Sequence, residues 1–121
     1  HDGSSKNFHI NNVEGASSTR ISGNLHIDDQ KPILKVAVLL DDVNESIGAH
    51  TCLIPNSARN KFVKRLINEN MTSIETEKII KDFPPYECFG NKGDVFFMDT
   101  RNIHWGAKLK SGNRSIMWFY F

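Results

Sequence analysis

The chain contains 121 residues, a length that suits one domain and leaves no room for two. Hydrophobic residues make up 39% of it and include eight Phe and two Trp, so the composition predicts a folded core rather than a disordered chain. The net charge is +1 and the basic residues are dispersed, so the sequence offers no positive surface for nucleic acid or an anionic membrane. Its two cysteines are too few for a disulfide scaffold or a Cys-rich zinc site.

Targeting signals are not evident in the sequence. No run approaches the roughly 18 consecutive apolar residues of a transmembrane helix. The first 30 or so residues lack the basic start and apolar run of a signal peptide, so we expect a cytoplasmic domain. The chain begins with His1 rather than Met, which leaves open whether N-terminal elements of the domain lie outside it.

The first part of the chain is predicted to form short strands. Residues 1–19 are a polar loop region with one short strand near 8–13, and 21–28 is predicted as a second strand. Residues 33–40 form a continuous apolar run broken only by Lys35, and their Val, Ile and Leu content favours a buried strand.

A helical insertion is predicted over residues 58–82. Ser57 has the side chain expected of an N-cap and precedes a helix predicted at 58–69. The apolar residues of that helix share one face: Phe62, Val63, Leu66 and Ile67. A weaker helix is predicted at 74–81, ended by two prolines.

Further strands are predicted on both sides of the insertion. The pattern predicts strands at 51–54 before the insertion and, after it, at 86–89, 95–98, around residue 103 and at 115–121, with turns at 90–93 and 111–113. This gives about seven strands that do not alternate with helices. The chain is therefore predicted to be mainly antiparallel β, either a sandwich or a small barrel.

Three side chains have the chemistry of a metal site. His26 and Asp28 lie two residues apart, and on an extended strand both would point to one face and bind the same ion. His104, near the start of a late strand, would add a second imidazole. Two imidazoles and one carboxylate leave three coordination positions open, as ferrous iron requires when it binds a co-substrate and dioxygen together.

Arg114 follows His104 by ten residues, after a turn that contains glycine. It shares a strand face with Ile116 and Trp118, and a charged side chain on a buried apolar face needs a carboxylate partner. That partner is either an internal Asp or Glu, or a small molecule whose carboxylate the guanidinium binds through two parallel hydrogen bonds.

The order of these motifs resembles the phytanoyl-CoA dioxygenase-like branch of the Fe(II)/2-oxoglutarate-dependent oxygenases. The resemblance runs from about residue 23 to residue 121, and its matching segments are 25–29 with the His-x-Asp pair, the strand and acidic turn at 33–43, 53–57, 92–97, 103–106 and Arg114. Asn56 and Ala58 stand where the family usually has Gly and His, which affects the shape of one loop rather than the metal set or the arginine.

The resemblance implies a mainly β fold, a double-stranded β-helix (jelly-roll or cupin-like barrel), formed by residues 1–121 as a single domain with one helical insertion. His26, Asp28 and His104 would hold Fe(II), and Arg114 would bind the co-substrate 2-oxoglutarate. The implied reaction is hydroxylation of a C–H bond of a small-molecule substrate by dioxygen, coupled to decarboxylation of 2-oxoglutarate to succinate. Asp28 favours this over halogenation, because the radical halogenases of the superfamily have a small residue in place of the carboxylate.

Other side chains are weaker candidates for the site. Lys35 either points inward and assists the co-substrate carboxylate or lies on the solvent face, and Thr51 is a candidate hydrogen-bond donor to the co-substrate. Trp105 either lines the substrate mouth or only packs. Asp29 and Asp99 either hydrogen-bond the ligand histidines or are solvated, whereas His1, His9 and His50 are treated as non-ligands.

Two other classes of protein remain open at this point. A cupin-like metal-binding module, or a degenerate homologue, would bind a divalent metal without oxygenase activity. Arg114 argues against it, because a plain cupin needs no carboxylate-binding group beyond its metal site. A β-sandwich interaction domain without metal would predict that His26→Ala leaves every measurable property unchanged.

Overall fold

The computed structural model describes residues 8–14, 24–28, 34–68 and 70–121. Within these ranges the chain forms seven strands and two α-helices, together with a short 3-10 helix at Ser57–Arg59. In chain order they are β1 (Phe8–Glu14), β2 (Leu34–Leu39), β3 (Thr51–Leu53), α1 (Lys61–Leu66), α2 (Ser73–Asp82), β4 (Tyr86–Cys88), β5 (Val95–Asp99), β6 (His104–Gly106) and β7 (Asn113–Tyr120).

The seven strands form two antiparallel sheets. The larger sheet has the order β1-β7-β2-β5 and the smaller sheet the order β4-β3-β6. Neighbouring strands are far apart in sequence, so β1 at one end of the chain pairs along its whole length with β7 at the other. The prediction of a mainly antiparallel β structure with a helical insertion is confirmed.

The larger sheet alternates between a buried and an exposed face, as the two-residue period of a strand requires. Ala37 and Leu39 of β2 are buried with Ile116 of β7 in one core cluster. On the opposite face, Val95 and Phe97 of β5 are 53% and 74% exposed. The buried face is the one that carries the arginine of β7, because Arg114 and Ile116 are two residues apart.

The smaller sheet is covered on one face by the helices. Cys52 of β3 and Trp105 of β6 are direct partners in the ladder. They share a core cluster with Val63 of α1 and Ile79 of α2. The other face of β3, which carries Thr51, lines a cavity between the two sheets. In the described part of the chain, no helix is long and apolar enough to cross a membrane.

The first helix is shorter than the sequence predicts, and Ser57 is not its N-cap. Asn56 has a left-handed backbone and Asn60 an extended one, so the helical residues divide into the 3-10 helix and α1. The cap of α1 is Asn60, whose side chain accepts a hydrogen bond from the Val63 amide at 3.0 Å. The predicted helix at 74–81 is confirmed as α2, which begins with a capping box formed by Thr72 and Glu75.

The predicted strand at 21–28 does not form over its described part, 24–28. His26 pairs with His104 through two backbone hydrogen bonds of 3.1 and 2.9 Å, but the ladder ends there. The Asp28 amide donates instead to the carbonyl of Thr100, because the turn that follows β5 interrupts the register. This segment is therefore a single bridge that joins the smaller sheet at the edge of β6.

Candidate metal centre and adjoining cavity

His26, Asp28 and His104 lie close together, and the two imidazoles line the cavity. The His26 Nε2 atom is 3.8 Å from Oδ1 of Asp28, and the His104 Nε2 atom is 3.7 Å from Oδ2 of the same carboxylate. Their ligand atoms all lie within 4.8 Å of one another, and the two imidazole rings are 4.3 Å apart between centroids. The structure thus brings together the three residues that the sequence analysis grouped.

The backbone fixes the orientation of both imidazoles. His26 Nδ1 lies 2.7 Å from the carbonyl oxygen of Asn24, and His104 Nδ1 lies 2.8 Å from that of Asn102. A carbonyl oxygen only accepts hydrogen bonds, so each Nδ1 must carry the proton. In the neutral rings the lone pair is then on Nε2, the atom nearest to Asp28, which is the arrangement that a metal ligand requires.

Burial keeps His104 in this neutral form. The side chain of His104 is buried, and desolvation is the largest influence that lowers its pKa. The hydrogen bond to Asn102 and the charge of Asp28 act in the opposite direction, whereas His26 and Lys35 lower the pKa further. Two imidazole nitrogens and one carboxylate form a donor set that fits ferrous iron.

Lys35 lies in the cavity wall rather than on the solvent face. Its Nζ atom is 3.1 Å from Oδ2 of Asp28. The same ammonium group is 5.8 Å and 5.3 Å from the ring centroids of Trp118 and Tyr120. Of the two positions considered for Lys35, the structure has the inward one, and the carboxylate that it contacts belongs to the candidate metal ligand Asp28.

Arg114 is buried, and the backbone of Ala49 and the side chain of Asn11 hold its guanidinium. Its Nε donates to the carbonyl of Ala49 at 2.9 Å, and its Nη1 donates to the side-chain oxygen of Asn11 at 2.7 Å. Asn11 lies on β1, opposite Ile116 of β7, and was not identified from the sequence. A contact across 103 positions leaves no local signal in the sequence.

The two candidate ligand histidines and the arginine line one cavity of about 160 Å³ between the two sheets. Its wall includes His26, Lys35, Thr51, His104, Arg114 and Trp118. This volume is roughly half of the ~300 Å³ at which pockets for drug-sized ligands begin, so the cavity suits a small ligand. Because four cationic or metal-binding side chains lie at its wall, a small anionic ligand fits it best.

The remaining candidate residues have varied positions. Trp105 lines the cavity, but its side chain is buried in the core cluster beneath the helices, so its observed role is packing. Asp99 accepts hydrogen bonds from the Arg101 guanidinium, which lowers the pKa of its carboxyl, and it does not contact the ligand histidines. Asp29, His1 and the side chain of His9 lie outside the described residues.

The two cysteines are both free, and they belong to different faces of the smaller sheet. Thr51 pairs with Cys88 and Cys52 pairs with Glu87, so Cys52 and Cys88 point in opposite directions. Burial raises the pKa of the Cys52 thiol to about 12 and that of Cys88 to about 11. Both thiols therefore stay protonated at neutral pH.

Comparison with known proteins gives structural matches only. No protein-family model matches the chain, and no curated protein matches it. AviO1 from Streptomyces viridochromogenes Tue57 superposes with a TM-score of 0.58 at 18% identity, over 93% of this chain and 48% of that protein. HygX from Streptomyces hygroscopicus with iron bound superposes with a TM-score of 0.57 at 18% identity, over 93% of this chain and 55% of that protein.

A third match is described by its chemistry. The non-heme alpha ketoglutarate dependent carbocyclase SnoK from nogalamycin biosynthesis superposes with a TM-score of 0.54 at 18% identity, over 92% of this chain and 42% of SnoK. The chain thus spans about half the length of these proteins or less. Similarity at this identity shows the fold, and the predicted double-stranded β-helix is confirmed. Membership of the phytanoyl-CoA dioxygenase-like family stays a prediction, since no family model matches.

Proposed function

We propose that this chain is the core of an Fe(II)/2-oxoglutarate-dependent dioxygenase that hydroxylates a C–H bond of a small-molecule substrate. The observation that carries the proposal is that two imidazoles and one carboxylate lie close together, and that both imidazoles line the same small cavity as a buried arginine. The solved structures support it, because they include an enzyme described as alpha ketoglutarate dependent and another with iron bound. The phytanoyl-CoA dioxygenase-like branch remains our proposed family.

His26, Asp28 and His104 would hold the iron through two Nε2 atoms and one carboxylate oxygen. Bound Fe(II) and 2-oxoglutarate would supply the activation of dioxygen, with the co-substrate leaving as succinate and carbon dioxide. The carbonyls of Asn24 and Asn102 keep the Nδ1 protons in place, so neither ring is able to turn its lone pair away from the site.

Arg114 would bind the distal carboxylate of 2-oxoglutarate. Its guanidinium is held in place by Ala49 and Asn11, so little side-chain entropy is lost when a carboxylate binds. Thr51 lines the same wall, is buried and is a candidate donor to the co-substrate. Lys35 would neutralise part of the negative charge that the co-substrate brings into the cavity.

The size of the cavity indicates that the co-substrate would lie inside it and the substrate outside it. A cavity of about 160 Å³ accommodates a small dicarboxylate but not a larger metabolite as well. The substrate would therefore lie at the mouth of the cavity, against His26 and against segments beyond the two sheets. We assign the specificity for the substrate to those segments, since loops at the mouth of a barrel commonly determine it.

Anaerobic titration of the apoprotein with Fe(II) and 2-oxoglutarate tests the proposal. A keto acid chelated to iron gives a weak visible charge-transfer band that neither component gives alone. We expect the band in the wild type, and we expect Arg114→Ala to weaken 2-oxoglutarate binding about 10- to 100-fold, the effect of losing hydrogen bonds to a charged group. Arg101→Ala is the matched control, because Arg101 is exposed and bonds to Asp99.

Two outcomes would contradict the oxygenase proposal. Metal binding without the band, at any concentration of 2-oxoglutarate, would favour a cupin-like metal-binding module. Equal 2-oxoglutarate affinity in Arg114→Lys, Arg114→Ala and the wild type would show that Arg114 does not bind the co-substrate. Circular dichroism of each variant separates a loss of binding from a loss of fold.

A further inference from the structure

A second group of ligand-type side chains lies on the reverse face of β3. His50 and Cys52 flank Thr51 in sequence, so both point away from the cavity that Thr51 lines. Glu87 of β4 is the direct ladder partner of Cys52. One ligand atom from each of His50, Cys52 and Glu87 lies within 4.8 Å of the other two.

His50 is buried with an incomplete set of hydrogen bonds. Its side chain is only 5% exposed, and its Nε2 atom lies 3.1 Å from Oε1 of Glu87. The carboxylate only accepts, so Nε2 donates the proton and Nδ1 carries the lone pair of the neutral ring. Among the described residues, no group hydrogen-bonds that buried Nδ1 atom. The Nδ1 lone pair is therefore available to take up the ring proton when an ion replaces that proton at Nε2.

We propose that His50, Cys52 and Glu87 form a second metal site, separate from the cavity, that binds Zn²⁺ through an imidazole, a thiolate and a carboxylate. Zinc accepts all three ligand types in a tetrahedron, with bonds of about 2.0–2.3 Å, which places neighbouring ligand atoms about 3.3–3.6 Å apart. The 3.1 Å separation between His50 Nε2 and Glu87 Oε1 is already close to that spacing, so Nε2 would be the ligand atom and the ring proton would move to Nδ1 when the ion binds. The largest separation in the group is at most 4.8 Å, so closure requires a movement of about 1 Å, of which the exposed Glu87 side chain is capable.

The surroundings suit a site that is closed on three sides. His50 packs against the Phe89 ring at a centroid distance of 4.4 Å, and Cys52 is buried in the core cluster beneath the helices. Glu87 is 53% exposed on β4, an edge strand of the smaller sheet, and it provides the entry path from solvent and room for a water as the fourth ligand. The ion would link β3 to β4 directly behind the cavity wall.

Metal binding at this site must displace a proton. Burial holds the Cys52 thiol in its protonated form, so coordination releases one proton to the buffer as the zinc–sulfur bond forms. Soft thiolate ligation also makes the site selective for zinc over calcium or magnesium, which prefer oxygen ligands.

Titration of the apoprotein with Co²⁺ tests the second site independently of the oxygenase proposal. Cobalt bound to a thiolate gives an intense near-ultraviolet charge-transfer band, whereas the His26, Asp28 and His104 group contains no sulfur. We expect the wild type to show the band and Cys52→Ser to lose it. Cys88→Ser, on the opposite face, and Asp28→Ala, in the first site, are expected to retain it.

A second variant, at the surface, keeps the proposal testable if Cys52→Ser fails to fold. Glu87→Gln changes an exposed side chain, and we expect it to weaken Co²⁺ binding at the thiolate site about tenfold or more, as the loss of a ligand or of a supporting carboxylate does. The absence of a thiolate band in the wild type would overturn the proposal. A band that persists in Cys52→Ser, or an affinity unchanged in Glu87→Gln, would also overturn it. Loss of iron binding at the first site would leave these expectations unaltered.

Discussion

Ser57 connects two segments through its hydroxyl group, and removing that group has a cost that the structure allows us to work out. Its Oγ donates to the carbonyl of Ile54 at 2.7 Å and accepts from the amide of Ile103 at 2.7 Å. Ser57 and Ile103 are both fully buried, so no solvent replaces these bonds. The Ile103 amide immediately precedes His104, which makes Ser57 a support of the candidate metal ligand.

Ser57→Ala should lower the free energy of unfolding by about 2–4 kcal/mol. One contribution is a lost hydrogen bond of about 1 kcal/mol, and the other is a buried amide left without an acceptor, at about 1–3 kcal/mol. For a domain of this size, that corresponds to a fall of roughly 8–16 °C in the melting temperature. Urea unfolding followed by circular dichroism measures the change. Ser73→Ala, at an exposed position of α2, is the matched control and should stay within about 0.5 kcal/mol of the wild type.

A loss below about 0.5 kcal/mol in Ser57→Ala would refute this reasoning, because surface substitutions alone produce changes of that size. The variant should also bind Fe(II) more weakly than Ser73→Ala does. Iron affinity is measured by competition with a chromophoric chelator, under conditions in which both variants are folded.

Three further predictions concern other parts of the molecule. Gly48→Ala should destabilise the fold by more than about 2 kcal/mol, because its Cβ would lie 2.3 Å from the Lys108 carbonyl oxygen. Gly112→Ala is the control, because Gly112 also has a positive φ but lies in open space, and it should cost only about 1 kcal/mol. Thermal denaturation of the two variants measures the difference. Asn60→Ala should cost about 1 kcal/mol by removing the cap of α1, measured by urea unfolding; a neutral result would contradict the cap assignment. Asn11→Ala should raise the KM for 2-oxoglutarate several-fold with a smaller change in kcat, because it frees the guanidinium of Arg114 to move; an unchanged KM would refute that positioning role.

Much of the fold could be predicted because strand patterns are local. The apolar run at 33–40 contains β2, and the Thr-Ser-Ile-Glu sequence at 72–75 contains the signals that start α2. The two-residue period of β7 also placed Arg114 on the same face as Ile116. These features depend on residues that are near one another in the sequence, so a single sequence reveals them.

The errors concern side chains whose partners are distant in sequence. Ser57 has the local sequence of an N-cap, but its buried hydroxyl bonds instead to the amide of Ile103, 46 positions away. Asn11 is a polar residue of the short strand predicted near 8–13, and only the β1–β7 pairing brings it to Arg114. Lys35 could not be assigned to a face from the sequence, since its inward position depends on how β2 is inserted between β5 and β7. Local patterns cannot supply such information.

The short strand β3 makes the chain unusually sensitive to insertions of odd length. Thr51 faces the cavity, while His50 and Cys52 face away from it. One extra residue between Gly48 and Thr51 would turn the whole strand over, placing a thiol in the cavity and a threonine hydroxyl among the apolar side chains of the helices. Two extra residues would restore both faces and alter only the loop. Insertions of two residues at this point should therefore be tolerated, whereas insertions of one residue should not. A library of loop insertions would test this difference.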